Sequence, residues 1–267
     1  MKIKTENSIR PIDFLYETGD RPVQVACTDK MTYICKYMRS SGRANKLVAE
    51  LSGAFFADIW QLAMPQYAFV NISPEHWEGC KTSHVLTAPA FGCQKLSEVI
   101  DINNLTYKIV VKDEKLLLQL FRIVLFDLWI ANEDRTYNNA NMLYDVVNKK
   151  LVSIDYGGIF NMTTYDYPLS QLTLQDTILY SELFLHLCKG SNKESVLFQA
   201  ESLRNDFYSY ISKCHAHYAT CIQMIPSEWM MPEEIIKKKI LQLFNPEWID
   251  TAWNNFVNYT KEALNNE

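Results

Sequence analysis

Short apolar runs separated by polar turns dominate the N-terminal third of the chain. Four of these runs have the length and the β-branched or aromatic content of strands: residues 22–28, 31–38, 67–72 and 84–88. Residues 45–60 instead carry apolar side chains at helical spacing, which predicts an amphipathic helix. Residues 89–92, Pro-Ala-Phe-Gly, predict a turn after the last strand. The pattern therefore predicts a mixed β/α unit.

The rest of the chain is dominated by helical periodicity. Residues 113–130 are apolar around nearly the whole circumference of a helix, which predicts a buried central helix. Further helices, several of them bounded by prolines, are predicted over residues 181–187, 193–212, 214–224, 232–243 and 248–264. A mixed N-terminal part followed by a helical part indicates an α+β fold with two lobes, over residues 1–92 and 93–267.

The stretch from residue 126 to residue 158 carries the clearest chemical pattern. A polar loop over residues 132–141 follows the predicted central helix. Two β-prone runs, 142–147 and 151–154, are separated by Asn-Lys-Lys and predict a hairpin. Asp-Tyr-Gly-Gly ends this hairpin at residues 155–158. Two acidic residues, Asp134 and Asp155, therefore flank one predicted hairpin.

Phosphoryl transfer would explain this arrangement of acids. The reaction needs a carboxylate that orients the attacking hydroxyl and oxygen ligands that hold magnesium on the nucleotide phosphates. Asp134 and Asn139 have the D-x-x-x-x-N spacing of a protein-kinase catalytic loop, and Asp155 follows the hairpin as a metal-binding aspartate would. The alternative is a pair of polar turns around an ordinary hairpin. We favour the kinase site, because both parts occur together after a buried helix.

A lysine inside an apolar strand is the second chemical signal. Lys36 is the single charge in its run, and a buried lysine needs a charged partner, although a strand lysine often faces solvent. Glu50, in the predicted helix over residues 45–60, is the candidate partner. Kinases use such a pair to direct an ammonium at nucleotide phosphates. The turn at residues 27–30 has no glycine to cradle phosphates, and residues 40–43 are either a plain connection or a covering loop.

These motifs resemble those of the HipA-like kinases, bacterial relatives of protein kinases with a more distant likeness to phosphatidylinositol kinases. The shared pattern is D-x-W-I-x-N-x-D-R-T-x-x-N-x-N-x-L followed by I-D-Y-G, and the resemblance extends from about residue 23 to about residue 160. It implies a two-lobed kinase-like fold with a hinge near Phe91 and Gly92. The implied site residues are Lys36 and Glu50 for phosphate orientation, Asp134 for catalysis, Asn139 and Asp155 for magnesium, and Asp127, Arg135 and Asn141 as support.

The resemblance also implies a function. ATP and magnesium would be the cofactors, and the γ-phosphate would pass to a serine or threonine of a protein. Family members are often toxins with an antitoxin partner, but this chain is shorter than the full-length toxins, which carry an extra N-terminal region, so the toxin role is a weaker expectation than the kinase role. Two alternatives stay open: a small-molecule or lipid kinase, and a pseudokinase that binds nucleotide without turnover. The glycine-free turn favours the pseudokinase, whereas the retained lysine and acids oppose it.

Composition excludes several other classes of protein. A net charge of −5 gives no basic surface for direct nucleic-acid binding. No apolar run is long enough to span a membrane, and the N-terminus lacks a signal-peptide core. The seven cysteines lack C-x-x-C spacing, which is typical of reduced thiols and predicts a cytoplasmic protein.

One cluster of cysteines and histidines raises the question of zinc. Cys214, His217 and Cys221 have the spacing of a single helix face, and His215 is adjacent. No fourth ligand on that face is evident in the sequence, and cysteines on helices usually belong to the core. We therefore predict no zinc.

Overall fold

Six strands form one curled sheet in the computed structural model, which describes residues 3–39, 44–78 and 88–265. They are β1 (Lys4–Asn7), β2 (Phe14–Leu15), β3 (Val23–Ala26), β4 (Thr32–Lys36), β5 (Tyr67–Asn71) and β6 (Ala90–Gln94), in the order β1-β5-β6-β4-β3-β2. Ser8 forms a bridge with Cys27, just beyond β3, so the two sides of the sheet approach each other. One face packs into a small core of its own that includes Val25, Tyr33 and Val70.

Successive side chains of β4 point to opposite faces of the sheet, so only every second one packs in this core. Tyr33 and Cys35 are fully buried in it, so Ile34 and Lys36 project from the opposite face of the strand. On β6, Phe91 is the register partner of Lys36 and Cys93 is the partner of Ile34. These four residues therefore share the face that looks toward the second lobe.

Helix α1 (Asn45–Ile59) joins the sheet to the rest of the molecule. Eleven of its residues are buried, and eight of them belong to the large core that also contains the C-terminal helices. Trp60, directly after the helix, stacks on Trp129 and on Tyr210, with ring centroids 5.5 and 5.4 Å apart. The helix is therefore packed into the C-terminal lobe as firmly as onto the sheet.

The C-terminal lobe is built around helix α2 (Glu114–Ile130), which begins after the capping residue Asp113 and is buried along most of its length. A small sheet lies against it, with strands β7 (Val99–Asp101), β8 (Met142–Asp145) and β9 (Lys150–Ser153). The remaining elements are α3 (Ile159–Thr163), α4 (Glu182–Cys188), α5 (Lys193–Ser202), α6 (Arg204–Gln223), α7 (Glu233–Gln242) and α8 (Pro246–Asn265).

The predicted arrangement of two lobes in an α+β fold is confirmed, as are α1, α2 and the hairpin of β8 and β9. The strands predicted over residues 22–28 and 31–38 are confirmed too and pair as β3 and β4. The turn predicted at residues 89–92 is wrong, because Ala90–Gln94 form β6, the strand between β4 and β5. The hinge implied near Phe91 and Gly92 stays a prediction. A Cβ on Gly92 would lie 2.8 Å from Val70, so this glycine permits close strand packing rather than a turn. Residues 84–87 of the fourth predicted strand, like residues 40–43, lie outside the described residues. The lobe boundary at residue 92 stays a prediction.

A second correction concerns the helices near residue 213. Arg204–Gln223 is one continuous helix, so the break predicted at residue 213 is wrong, and the observed break lies ten residues earlier, at Leu203. The amide of Leu203 donates to the carbonyl of Ala200, a tight turn that lets α5 pack on α8 while α6 packs on α1 and α7. No comparable turn occurs at Lys213, and lysine is a good helix former, so α6 continues through this position.

Candidate active site

A cleft of about 530 Å³ lies between the curled sheet and the small sheet. Its apolar lining includes Ile34, Phe91, Val99, Leu143 and Ile154. Its charged lining residues are Lys95, Asp101 and a cluster formed by Lys36, Glu50 and Asp155, the charged end of the cleft. A mostly apolar cleft with a few convergent polar groups is the usual form of a small-molecule site.

Lys36 is the centre of the charged end. Its Nζ atom lies 2.5 Å from Oε1 of Glu50 and 2.6 Å from Oδ1 of Asp155. The lysine comes from β4, the glutamate from α1 and the aspartate from the residues after β9, so three elements converge here. The structure therefore brings together the predicted strand lysine, helix glutamate and hairpin aspartate.

Burial and charge compete at these groups. Burial raises the pKa of Glu50, to about 8, although Lys36 opposes the change. Burial also disfavours the charged forms of Lys36 and Asp155, but attraction outweighs it: the pKa of Lys36 is raised by its two carboxylates, and that of Asp155 is lowered by the ammonium. Two carboxyl groups thus share one lysine, and Asp155, with its lowered pKa and a side chain that is 30% exposed, is the one that would accommodate a further cation.

The Asp155-Tyr156-Gly157 turn explains how an aspartate reaches this position. Asp155 has a φ of 58°, and its Oδ1 accepts from the amide of Gly157 at 3.2 Å. The amide of Tyr156 donates to Oε2 of Glu50 at 3.0 Å. The Tyr156 side chain is buried so close to α1 that a Cβ on Gly53 would lie 2.4 Å from its Cβ. The turn is therefore locked to the helix that carries Glu50.

Two asparagines hold Asp134 in its loop. The Nδ2 of Asn139 donates to the carbonyl and to Oδ1 of Asp134, at 3.1 and 3.0 Å. The Nδ2 of Asn141 donates to the same carbonyl and to Oδ2, at 2.9 and 3.2 Å. Both carboxylate oxygens are thus oriented by amides, and the Asp134 side chain keeps part of its surface open to solvent.

A buried ion pair supports this loop from behind. Arg135 is fully buried and donates from NH1 to Oδ1 of Asp127 at 2.6 Å and from NH2 to the carbonyl of Ile154 at 2.8 Å. Asn132 also donates to Oδ1 of Asp127, at 2.9 Å. The arginine therefore ties α2, the loop that carries Asp134 and the end of the hairpin together. Burial raises the pKa of Asp127, an effect that Arg135 opposes.

Two glycines join the lysine cluster to the Asp134 loop. A Cβ on Gly157 would lie 2.9 Å from Oε1 of Glu50, and a Cβ on Gly158 would lie 2.3 Å from the Cβ of Asp134. Consecutive residues thus touch the two halves of the site, and neither has room for a side chain. This is the structural reason for Gly-Gly after Tyr156.

The donor set fits magnesium and a nucleotide. Magnesium prefers carboxylate and amide oxygens, which Asp155 and Asn139 can provide. The side chain of Asp155 is 30% exposed and uses Oδ1 for Lys36, whereas Asn139 is exposed and directs its Nδ2 at Asp134. Their remaining oxygens would hold the ion, which neutralises phosphate charge when it is bound.

The loop that covers the charged end differs from the turn considered in the sequence. Val23 pairs with Cys35, so residues 16–22, which precede Val23, lie beside Lys36, and the turn at 27–30 lies at the other end of this hairpin. Tyr16, Thr18 and Pro22 line the cleft. The absence of glycine from 27–30 therefore has no bearing on phosphate binding, and the covering loop does contain Gly19. The covering loop, residues 16–22, was not predicted from the sequence, because β2 just before it has only two residues and shows no alternation.

Sequence reasoning also missed the residues that hold the segment after Gly158. Phe160, Asn161 and Met162 have positive φ values of 58°, 53° and 54°, a costly conformation for non-glycine residues. The Nδ2 of Asn161 donates to Glu133 and to the carbonyl of Ser170, at 2.7 and 3.0 Å.

Lys239 anchors the same segment further along. It is fully buried and donates to the carbonyls of Thr164 and Tyr167 at 3.0 and 2.8 Å. Burial lowers its pKa to about 8. Every residue has a backbone carbonyl, so the sequence does not indicate which carbonyls a buried lysine will contact. The contacts of Lys239 could therefore not be predicted.

The cysteines and histidines of α6 do not share one surface. Cys214 and Cys221 are buried in the core, whereas His215 and His217 are exposed. Within the described residues, no group of three histidine, cysteine or acidic side chains is placed to hold a metal ion. Absence of zinc stays a prediction. No helix in the described part of the chain is long and apolar enough to cross a bilayer.

Comparison with known proteins identifies the class of molecule to which this site belongs. The family model for HipA-like kinases matches residues 15–256, so the chain belongs to the HipA-like kinase family. The crystal structure of the Helicobacter pylori proinflammatory kinase CtkA matches with a TM-score of 0.51 and 12% identity, covering 100% of this chain and 99% of that one. This likeness shows the kinase fold, as predicted.

Two structures of CtTel1 match more distantly. Its open conformation and its FAT and kinase domain each give a TM-score of 0.31 and 14% identity, covering 91% of this chain and 12% or 22% of theirs. A comparison with curated protein sequences finds no match.

Proposed function

We propose that this protein is an ATP- and magnesium-dependent kinase that transfers the γ-phosphate to a serine or threonine hydroxyl of a protein. The observation that carries the proposal is the convergence of Glu50 and Asp155 on Lys36, at 2.5 and 2.6 Å, beside an amide-held Asp134. Membership of the HipA-like kinase family supports the reaction class. The serine or threonine acceptor follows from the family resemblance.

The cleft has an apolar part and a charged end, and this difference would orient the nucleotide. The nucleoside would lie against Ile34, Leu143 and Ile154, and the phosphates would point toward Lys36. Glu50 keeps Lys36 in place through a buried ion pair, and Asp155 and Asn139 would hold the magnesium. Residues contributed by separate rigid elements can be positioned with the accuracy that in-line transfer requires.

Asp134 would act on the acceptor side. Its carboxylate would orient the attacking hydroxyl and take its proton as the new bond to phosphorus forms. A positioned acid–base group typically contributes about a hundred- to ten-thousand-fold in rate. The amides of Asn139 and Asn141 restrict the carboxylate to one orientation, so little reorganisation is needed at that moment.

An exposed aromatic pair beside the catalytic loop supports a polypeptide acceptor. Tyr137, three residues after Asp134, is 40% exposed and packs edge-on against Tyr180, which is 46% exposed. Exposed tyrosines are common in surfaces that bind proteins. The toxin role and an antitoxin-type partner stay predictions that rest on the family resemblance.

Phosphoproteomics on cells that express the wild type or Asp134→Asn would test the proposal. We expect phosphoserine or phosphothreonine peptides that depend on Asp134, and purified wild type should phosphorylate the proteins found. Asp206→Asn, which changes an exposed aspartate paired with Arg122, is the matched control and should behave like the wild type. Transfer to small molecules or lipids alone would establish the alternative kinase. ATP binding without any transfer would establish a pseudokinase.

A further inference from the structure

A second cavity adjoins the nucleotide cleft on the other side of Lys36. Its volume is about 250 Å³, below the range of about 300–1,000 Å³ typical of pockets that enclose a whole small-molecule ligand. The charged side chains that line it are Asp20, Lys36, Arg39 and Lys46. Three cations and one carboxylate therefore surround a space suited to a small anionic group.

Asp20 lies between two of these cations. Its Oδ1 is 2.5 Å from Nζ of Lys46, and its Oδ2 is 3.3 Å from Nζ of Lys36. Asp20 belongs to the covering loop of residues 16–22, whereas Lys46 is in the first turn of α1. One carboxylate thus bridges two ammonium groups that come from different elements.

Lys36 does not need this third carboxylate. Glu50 and Asp155 already contact it at 2.5 and 2.6 Å, both closer than Asp20. Glu50 is held in a buried helix, but Asp20 is on a loop, and a Cβ on its neighbour Gly19 would meet no atom within 4 Å. Of the three acids around Lys36, Asp20 is therefore the one that can leave without disturbing the core.

We propose that Lys46 is a further phosphate-binding residue, and that Asp20 holds the position a nucleotide phosphate takes between Lys36 and Lys46. This inference rests on the proposed nucleotide binding. A phosphate group has more negative charge and more acceptor oxygens than a carboxylate, so it replaces Asp20 at the two ammonium groups. The ligand class is a nucleoside di- or triphosphate, and the exchange breaks no covalent bond.

The exchange predicts opposite effects for the two partners of one ion pair. Asp20→Asn keeps the shape of the side chain and removes the competing anion, so ATP should bind about three- to tenfold more tightly. Lys46→Met removes a cation from the phosphate, so ATP should bind more weakly by about the same factor. If the pair only stabilised the loop, the two variants would change affinity in the same direction or leave it unchanged.

The Lys4–Asp29 pair provides a matched control. Its Nζ–Oδ2 distance is 2.6 Å, and its side chains are 39% and 21% exposed, against 53% and 25% for Lys46 and Asp20. Asp29 belongs to the turn at 27–30, at the opposite end of the β3–β4 hairpin from Lys36. Lys4→Met and Asp29→Asn should therefore leave ATP affinity unchanged.

Calorimetric titration of the full chain with ATP, with and without magnesium, tests the inference. We expect tighter binding to Asp20→Asn, weaker binding to Lys46→Met, and no change for the two control variants. A Lys46→Met protein with wild-type affinity would overturn the inference and leave the proposed function intact. Weaker binding to Asp20→Asn only with magnesium would make Asp20 a metal ligand and also overturn it. A wild type that binds no ATP would overturn the inference and the proposed function together.

Discussion

Gly158 lies so close to Asp134 that a Cβ on the glycine would be 2.3 Å from the Cβ of the aspartate. The residue after the Asp-Tyr-Gly turn therefore sets the position of Asp134, the proposed catalytic base. Gly158 has φ and ψ of −96° and 2°, which other residues adopt, so the requirement for glycine here is steric.

Gly158→Ala should displace Asp134 without affecting the nucleotide cleft. A misplacement of about 1 Å can cost on the order of a hundredfold in rate, so we expect phosphoryl transfer to fall by at least tenfold. ATP affinity should stay within twofold of the wild type. Steady-state transfer rates and calorimetric binding measure the two effects separately. An unchanged transfer rate would mean that the loop accepts the methyl group without moving the aspartate.

Asp155→Asn should separate magnesium-dependent from magnesium-independent nucleotide binding. A ligand present at a hundred times its dissociation constant stabilises the folded state by about 2.7 kcal/mol. ATP with magnesium should therefore raise the melting temperature of the wild type, and Asp155→Asn should lose most of the part that requires magnesium. Thermal unfolding with ATP alone, magnesium alone and both provides the comparison. Equal shifts in the two proteins would exclude Asp155 as a metal ligand.

Lys36→Met should cost stability as well as activity. Removing one partner of a buried pair typically costs about 3–5 kcal/mol, because the remaining charge is left unpaired. We expect the double variant Lys36→Met/Glu50→Gln to recover most of this loss, since it removes the buried carboxylate too. Denaturant unfolding measures the recovery. Phosphoryl transfer should not return with stability, and its return would show that Lys36 serves only the fold.

The Asp127–Arg135 pair should be far more important for stability than a surface pair. Both side chains are almost completely buried, and Arg135 has a 2.6 Å contact with Asp127. Asp127→Asn leaves a buried guanidinium without its counter-ion, so we expect a loss of about 3 kcal/mol in the free energy of unfolding. Asp206→Asn breaks the exposed pair with Arg122 and should cost less than about 1 kcal/mol. Similar losses in urea unfolding would contradict this assignment.

Lys239 should make stability depend on pH in an unusual direction. Burial lowers its pKa to about 8 from a usual 10.5. Between these values the unfolded chain binds the proton and the folded chain releases it, so stability gains from this residue as pH rises from 8 to 10.5. Lys239→Met should remove that gain. Unfolding free energies of both proteins across this interval measure the difference, and a constant difference would show that the pKa of Lys239 is not lowered by folding.

Sequence patterns predicted the parts of the site that are close together in the chain. Asp134, Asn139 and Asp155 follow local spacing, and the pairing of Lys36 with Glu50 follows from a strand directly before a helix. Contacts with backbone carbonyls leave no such pattern. The bonds from Lys239 to Thr164 and Tyr167 span more than seventy residues and could not be inferred.

The covering loop was missed for a different reason. Strand β2 has two residues, which is too short to show alternation, so the sequence did not indicate that residues 16–22 fold over Lys36. The position of Asp20 beside Lys36 depends on the register of β3 and β4, which the sequence does not show. Edge strands as short as β2 cannot be predicted from hydrophobic periodicity.

The stacking of Trp60 between Trp129 and Tyr210 limits how this kinase can be switched. A helix that swung outward to withdraw its glutamate would have to pull a buried tryptophan, with its neighbours Phe55 and Phe56, out of the C-terminal lobe. Exposing side chains of this size costs several kcal/mol, more than a typical effector supplies. If the molecule transfers phosphate as proposed, a swing of α1 is a costly switch, and we expect control to act on the entry of nucleotide or acceptor.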